Sequence, residues 1–160
     1  MYDKILVPLD GSKLAECVLP YVETLAKGCD TKKVILVTVT EELRGLTAAP
    51  ELRTAGSGSG GGGVVTLGKM TEQGARYLNR IAKRLENKGL NVQAEVLMGK
   101  PAEAIVSYIN SSNADIVIMS SHGRNGPSRW AFGSTADRVF RSSCIPVMVV
   151  RAPGCSVPGA

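Results

Sequence analysis

Near its N-terminus the chain contains Lys4-Ile5-Leu6-Val7-Pro8-Leu9-Asp10-Gly11-Ser12. Residues 4–9 form a mostly apolar run that is typical of a buried β-strand, and Asp10-Gly11 is a turn signal. Ser12 is a suitable N-cap for the helix that the apolar spacing predicts next, and Pro20 is expected to kink or divide that helix. Because residues 34–40 are rich in β-branched side chains, they predict a second buried strand and complete a βαβ unit.

Strands and helices are predicted to alternate to the end of the chain. Helical spacing predicts helices over residues 71–88, from Pro101 and from Ser134, and Val139 and Phe140 of the last helix are expected to face the core. Apolar runs predict further strands over residues 90–98, 115–119 and 146–150. This order predicts a three-layer, doubly wound α/β fold, in which helices cover both faces of a five-stranded parallel sheet.

Sheets of this kind bind ligands beyond the carboxyl ends of their strands, at the point where the strand order reverses. The candidate positions are therefore those that follow the first, second and fourth strands. They are Asp10-Gly11-Ser12, Val39-Thr40 and residues 120–126.

The composition fits a single domain. The chain has 160 residues, of which 44% are hydrophobic and 21% charged, so it can bury a core of ordinary size. We assign residues 1–152 to this domain and residues 153–160 to a C-terminal tail. A segment at about 44–67 interrupts the pattern, and its Gly/Ser tract at residues 56–63 is typical of a flexible loop or of an engineered replacement.

Several classes of protein are excluded by the sequence. No apolar run approaches the ~20 residues of a membrane span, and the N-terminus enters a strand without a signal-peptide core, so a cytoplasmic protein is expected. Four cysteines without a CxxC pair and a single histidine, His122, argue against a zinc site and a catalytic triad. Seven aromatic residues are too few for a base-stacking surface, so neither nucleic acid nor membrane is an expected partner.

An anion site is indicated by the sequence Ser120-Ser121-His122-Gly123-Arg124-Asn125-Gly126-Pro127-Ser128-Arg129-Trp130-Ala131-Phe132-Gly133-Ser134-Thr135. This segment leaves a predicted strand, turns through small residues and reaches a helix N-terminus, where unpaired amides and the helix dipole favour negative charge. Between Met119 and Arg151, five arginines stand against one acid. A plainer interpretation fits the spacing equally well: Ser134 only caps its helix, and the arginines are solvated.

Together these motifs resemble the universal stress protein (UspA) family. The similarity rests on residues 4–12, 37–39, 99–102 and 114–119, on Gly133-Ser134-Thr135 and on residues 146–150. The resemblance implies a Rossmann-like fold of the adenine nucleotide alpha hydrolase type. It also implies a homodimer, for which the apolar edge strand that begins at Pro146 and ends at Val150 offers a surface.

In one branch of this family, ATP binds between the ends of the first and fourth strands, beside the pattern G-x2-G-x9-G-(S/T). Ser120, Gly123, Gly133 and Ser134 keep its spacing, but serine replaces the first glycine and adds a Cβ where backbone approaches the ligand. By resemblance, Asp10 accepts hydrogen bonds from the ribose hydroxyls. The whole implied contact set is Pro8, Asp10, Val39, Met119, Ser120, Gly123, Arg124, Gly133, Ser134 and Thr135.

The resemblance implies a cytoplasmic regulatory protein of the stress response that binds ATP, with or without Mg²⁺, and acts through nucleotide binding and dimerisation. No residue stands out as a base that would activate water at the γ-phosphate, so ATP hydrolysis is expected to be very slow at most. The alternative is a nucleotide-free dimeric interaction module of the same family, in which Ser120 and Pro127 close the pocket. A third class, an enzyme that consumes nucleoside triphosphate, would depend on Asp10 and Ser134.

Overall fold

The computed structural model describes residues 2–40, 62–123 and 133–151. Within these ranges five parallel strands form one sheet in the order β3-β2-β1-β4-β5. Their bounds are Lys4–Pro8 (β1), Lys33–Thr40 (β2), Val92–Met98 (β3), Ile116–Ser120 (β4) and Val147–Val150 (β5). The predicted α/β fold with a five-stranded parallel sheet is confirmed, and every predicted strand lies within about two residues of its observed bounds.

Four α-helices and one short 3₁₀ helix connect the strands in the described part of the chain. They are the 3₁₀ helix Ala15–Val18, then Leu19–Gly28 (α1), Gly62–Glu86 (α2), Pro101–Ser112 (α3) and Ser134–Ser142 (α4). Pro20 lies in the first turn of α1, where its missing N–H leaves no bond unmade. The predicted first helix is therefore divided near Pro20, as expected. No helix of the described ranges is long and apolar enough to cross a lipid bilayer.

Helix α2 begins earlier than the sequence predicts. The predicted start is at residue 71, whereas the helix begins at Gly62, inside the segment 44–67 that is predicted as a loop. Glycine is a poor helix former, so composition argued against a helix here. Extending an existing helix costs much less than nucleating one, which allows α2 to continue into this segment. The rest of the predicted loop and the tail at 153–160 lie outside the described residues.

Apolar side chains fill both sides of the sheet. One cluster, which includes Ile5 and Leu36 of the sheet, packs against α1 and α2. The other, which includes Leu6 of the sheet, packs against α3 and α4. Val139 of α4 is buried as predicted, but Phe140 is 56% exposed, so its predicted inward position is wrong. Neighbouring residues of a helix point about 100° apart, and on this short helix Val139 occupies the side that faces the sheet.

The strand order reverses at β1. Strand β2 pairs with one edge of β1 and β4 pairs with the other. The connection after β1 leads towards β2, and the connection after β4 leads towards β5, so the chain leaves these two neighbouring strand ends in opposite directions. This arrangement opens a crevice between the carboxyl ends of β1 and β4, which is where sheets of this class bind ligands.

Candidate functional site

Asp10 and Gly123 meet across the point where the strand order reverses. Asp10 follows the end of β1, and Gly123 follows the end of β4. A Cβ on Gly123 would lie 2.0 Å from Oδ2 and 2.9 Å from Cγ of Asp10, which is far inside van der Waals contact. Glycine is therefore required at position 123 as long as Asp10 keeps this orientation.

A tight turn holds the Asp10 carboxylate. The Ser12 N–H donates to Oδ1 of Asp10 over 2.9 Å. The Ser12 hydroxyl oxygen in turn accepts the N–H of Ala15, the first residue of the 3₁₀ helix, over 3.1 Å. Gly11 has a φ of 87°, which lies in the left-handed region that favours glycine. One oxygen of Asp10 thus stabilises the turn, while the other faces the loop that follows β4.

Ser120, which replaces the first glycine of the family pattern, is buried at the end of β4. Its hydroxyl donates to the main-chain oxygen of His122 and lies 3.3 Å from the main-chain nitrogen of the same residue. His122 is also buried, with Nδ1 3.1 Å from the Ser121 hydroxyl oxygen. The Ser120 hydroxyl therefore closes a local turn of the loop.

Gly133 joins this turn to the N-terminus of α4. Its N–H donates to the Ser121 main-chain oxygen over 2.7 Å, and a Cβ on Gly133 would lie 3.1 Å from that oxygen. Gly133 is the N-cap of α4, and no side chain caps the helix. The plainer interpretation of Ser134 as the cap is therefore wrong, because Ser134 is the first helical residue. Within the described residues, the amides of Ser134 and Thr135 have no hydrogen-bond partner, so they can meet an anion.

The other predicted contact residues are not all at the crevice. Pro8 and Val39 are half-buried near the carboxyl ends of β1 and β2, as a wall of this site requires. Met119 is only 5% exposed and packs in the core against α3 and α4, so little of its side chain is accessible to a ligand. The predicted phosphate contact Arg124 lies outside the described residues, as do Pro127 and Arg129.

Sequence reasoning missed the position of the Tyr77 hydroxyl. Tyr77 belongs to α2, and its side chain packs against the core. Its hydroxyl oxygen is buried, and burial, followed by the charges of Glu16 and Asp10, raises the pKa of Tyr77 above its usual range. The signal in the sequence is a phenol on an otherwise aliphatic helix face, because a buried hydroxyl needs a polar neighbour.

A protein-only metal site is not found in the described ranges, where no group of three or more His, Cys, Asp or Glu side chains could hold a metal ion. Mg²⁺ is usually held by one or two carboxylates together with phosphate oxygens and water. Asp10 and the hydroxyl of Ser134 are the oxygen donors that this crevice could contribute beside a bound triphosphate.

Comparison with known protein families agrees with this geometry. The model of the universal stress protein family matches residues 1–151. The chain belongs to the universal stress protein family. Universal stress protein MJ0577 of Methanocaldococcus jannaschii is 32% identical over 163 aligned positions, which cover 94% of this chain and 96% of that relative.

Solved structures of the family share the fold. The structure of MJ0577 has a TM-score of 0.79 at 30% identity and covers 96% of this chain and 99% of that one. A universal stress protein described in complex with cAMP has a TM-score of 0.66 at 17% identity, covering 94% and 98% of the two chains. A family member from Arabidopsis thaliana, described with AMP bound, has a TM-score of 0.62 at 15% identity, covering 98% and 96%. These last two similarities establish the fold alone.

Proposed function

We propose that this universal stress protein binds ATP in the crevice between the carboxyl ends of β1 and β4 and acts as a regulatory protein through that binding. The observation that supports the proposal most directly is the position of the Asp10 carboxylate against Gly123, where a doubly wound sheet binds its ligands. The amides at the start of α4, which have no partner among residues 2–40, 62–123 and 133–151, belong to the segment that follows Gly123. Acceptor and donor groups thus come from the two sides of one crevice.

The two parts of a nucleotide require opposite groups. Ribose hydroxyls donate hydrogen bonds, and the Asp10 carboxylate is an acceptor for them. The triphosphate is an anion, which the amides of Ser134 and Thr135 and the positive end of α4 favour. Pro8 and Val39 offer an apolar wall for adenine. Arg124 would add a charge-assisted contact to the phosphates.

The ligand class has support from the two distant family members described with AMP and with cAMP. Both ligands are adenine nucleotides and share the base and the sugar with ATP. The triphosphate is favoured by the spacing of Ser120, Gly123, Gly133 and Ser134 and by the net charge of +5. We therefore infer ATP as the ligand, with or without Mg²⁺.

Binding rather than turnover is the proposed activity. Asp10 uses one carboxylate oxygen to accept the Ser12 N–H. His122 is buried, and its Nδ1 is 3.1 Å from the Ser121 hydroxyl oxygen. In this proposal the Asp10 carboxylate is assigned to the ribose rather than to water at the γ-phosphate, and His122 is buried, so hydrolysis is expected to be very slow at most.

A second candidate is the nucleotide-free dimeric interaction module. Two contacts favour it: the Gly133 N–H is already paired with the Ser121 oxygen, and the Asp10 carboxylate packs against Gly123. Both contacts reduce the number of groups that can meet phosphate or ribose without rearrangement. In this candidate function, an interaction partner recognises the surface of the protein, and the crevice holds no nucleotide.

Both candidates include a homodimer through β5. This strand lies at the edge of the sheet and pairs with β4 alone. Met148 of β5 and Phe140 of the neighbouring α4 are exposed. An unpaired strand edge beside exposed apolar side chains favours pairing with the same strand of a second copy.

Calorimetric titration with ATP separates the two candidates. A denatured sample of the purified protein is first analysed for released adenine nucleotide, and nucleotide-free protein is then titrated with ATP. We expect the wild type to bind and Asp10→Ala to bind about tenfold more weakly or worse, because a charged acceptor is lost. Asp3→Ala is the matched control, since Asp3 lies at the opposite end of β1 and its carboxylate pairs with Lys32 on the surface. Absence of wild-type binding at millimolar ATP would leave the interaction module.

A further inference from the structure

A cavity of about 310 Å³ lies between the last turn of α2 and the junction of the 3₁₀ helix with α1. This volume is at the lower end of the range for small-molecule sites. None of the residues that line it belongs to the contact set proposed for the nucleotide. The cavity is therefore a different site from the crevice between β1 and β4.

Part of the lining of this cavity is apolar. Leu19 of α1 and Leu85 of α2 belong to the core, so their positions are set by the packing of the two helices. Pro20, in the first turn of α1, is exposed. The lining thus combines a fixed apolar base with an exposed proline ring, against which a small apolar group can pack without rearrangement of the fold.

The carboxylate in the described lining, that of Glu16, is shared by two arginines of α2. Oε1 of Glu16 lies 3.5 Å from Nη2 of Arg80, and Oε2 lies 3.1 Å from Nη1 of Arg84, which also lines the cavity. A guanidinium carries five N–H donors, and those of Arg84 on Nε and Nη2 have no partner among the described residues. Arg84 can therefore hold Glu16 and a bound anion at the same time.

Two lysines add positive charge to the same cavity. Lys88 pairs with Glu23, but Glu23 also pairs with Lys27 over 3.0 Å. Lys13 is exposed and makes no hydrogen bond or ion pair with any described residue. The charged lining residues and the ion pairs they belong to therefore contain five cations and two carboxylates. This excess of positive charge favours an anionic ligand.

We propose that this cavity binds a small organic anion with a phosphate or carboxylate group and an apolar body. Arg84 donates hydrogen bonds to the anionic group, and the ammonium groups of Lys13 and Lys88 balance its charge. The apolar body packs against Pro20 and the methylene groups of the two lysines. The inference does not depend on ATP binding, because no residue of the crevice takes part in it.

Titration of the whole chain with phenyl phosphate, followed by ¹H–¹⁵N NMR spectra, tests the inference. We expect a Kd of about 1 mM, as for other ligands of this size. The largest amide shifts should fall at residues 13–20 and 84–88, which include the lining of the cavity. Inorganic phosphate should bind more weakly and phenol should not bind measurably, because each of them lacks one part of the proposed ligand.

Lys13→Gln should weaken the binding of phenyl phosphate about three- to tenfold, because one charge-assisted contact is lost. Lys13 has no partner among the described residues, so the fold should be unaffected. Lys83→Gln is the matched control, since Lys83 is also exposed and precedes Arg84 on α2 but does not line the cavity. It removes the same charge and should leave the affinity nearly unchanged.

Several results would overturn the inference. One is the absence of phenyl phosphate binding at about 20 mM, and another is a set of amide shifts centred on the crevice residues 120–123 and 133–135. Equal weakening by Lys13→Gln and Lys83→Gln would show attraction to the net charge alone. Equal affinity for inorganic phosphate or for phenol would overturn the assigned class of ligand. A wild type that binds phenyl phosphate in the cavity but no ATP would overturn the proposed function and support this inference.

Discussion

The Asp10 carboxylate is in contact with the backbone of Gly123, and a Cβ at position 123 would lie 2.0 Å from its Oδ2. Two segments that are remote in the chain thus share one small volume at the carboxyl edge of the sheet. The atom that a larger residue would meet is the end of a side chain rather than backbone. A larger residue at position 123 would therefore displace the Asp10 side chain rather than the loop backbone. The orientation of the Asp10 carboxylate thus depends on the residue at position 123.

Gly123→Ala should separate binding from stability. The Asp10 carboxylate can rotate away from the new methyl group, so we expect the free energy of unfolding to fall by less than about 1 kcal/mol. The same rotation removes the carboxylate from the ribose, and the affinity for ATP should fall about tenfold or more. Urea denaturation measures the first quantity and calorimetric titration the second.

Gly28→Ala is the matched control for this change. Gly28 is the last residue of α1, and a Cβ there would meet nothing within 4 Å. Its unfolding free energy should stay the same or rise by about 0.5 kcal/mol, and ATP binding should be unaffected. A Gly123→Ala protein that binds ATP as tightly as the wild type would contradict the assignment of Asp10 to the ribose.

Ser120→Gly tests whether the serine narrows the crevice. The change removes the hydrogen bonds between the Ser120 hydroxyl and the His122 main chain and frees the backbone, so the free energy of unfolding should fall by about 1 kcal/mol. Loss of the Cβ should raise the ATP affinity about threefold. Ser120→Ala keeps the Cβ and should retain wild-type affinity. Equal affinities in the two variants would show that the Cβ does not limit binding.

Met148→Lys should dissociate the proposed homodimer. Met148 is 36% exposed on the edge strand β5, and a charge there opposes pairing with a second copy, so dimer affinity should fall about tenfold or more. The control is Met98→Lys, because Met98 is 46% exposed on the opposite edge strand, β3. Sedimentation velocity distinguishes monomer from dimer. Dissociation by Met98→Lys alone would locate the interface at β3 instead.

Alkaline pH should destabilise the protein partly through Tyr108. Burial, and then the neighbouring Glu95, raise the pKa of Tyr108 to about 12, compared with about 10 in an unfolded chain. The folded state therefore holds the phenolic proton more tightly. Its stabilising contribution is complete below about pH 10 and is lost as the pH rises towards 12.

Denaturant unfolding of the wild type and Tyr108→Phe at about pH 8 and about pH 11 checks this prediction. The difference in unfolding free energy between the two proteins should shrink at the higher pH, because only the wild type loses the Tyr108 contribution. A constant difference across the range would mean that Tyr108 has the same pKa in the folded and unfolded states.

Local sequence patterns were sufficient to predict the sheet and most of its helices. The apolar run at residues 34–40 and the proline at position 101 each indicate their element without reference to the rest of the chain, because β-branched packing and helix starts depend on near neighbours. Predictions from local patterns were wrong at two places, the start of α2 and the side to which Phe140 points. Glycine composition concealed the start of α2 at Gly62, and periodicity alone did not decide which way Phe140 faces.

The types of residue at the candidate site could also be predicted, since turn residues, glycines and hydroxyl groups after strand ends are visible in the sequence. Their contacts were decided by the tertiary structure alone. The tertiary packing brings Asp10 to Gly123, pairs the Gly133 amide with Ser121 and buries the Tyr77 hydroxyl. The contact between Asp10 and Gly123 joins segments that are far apart in the chain. Periodicity within one element describes which side of that element is buried, but it carries no information about which remote residue lies opposite.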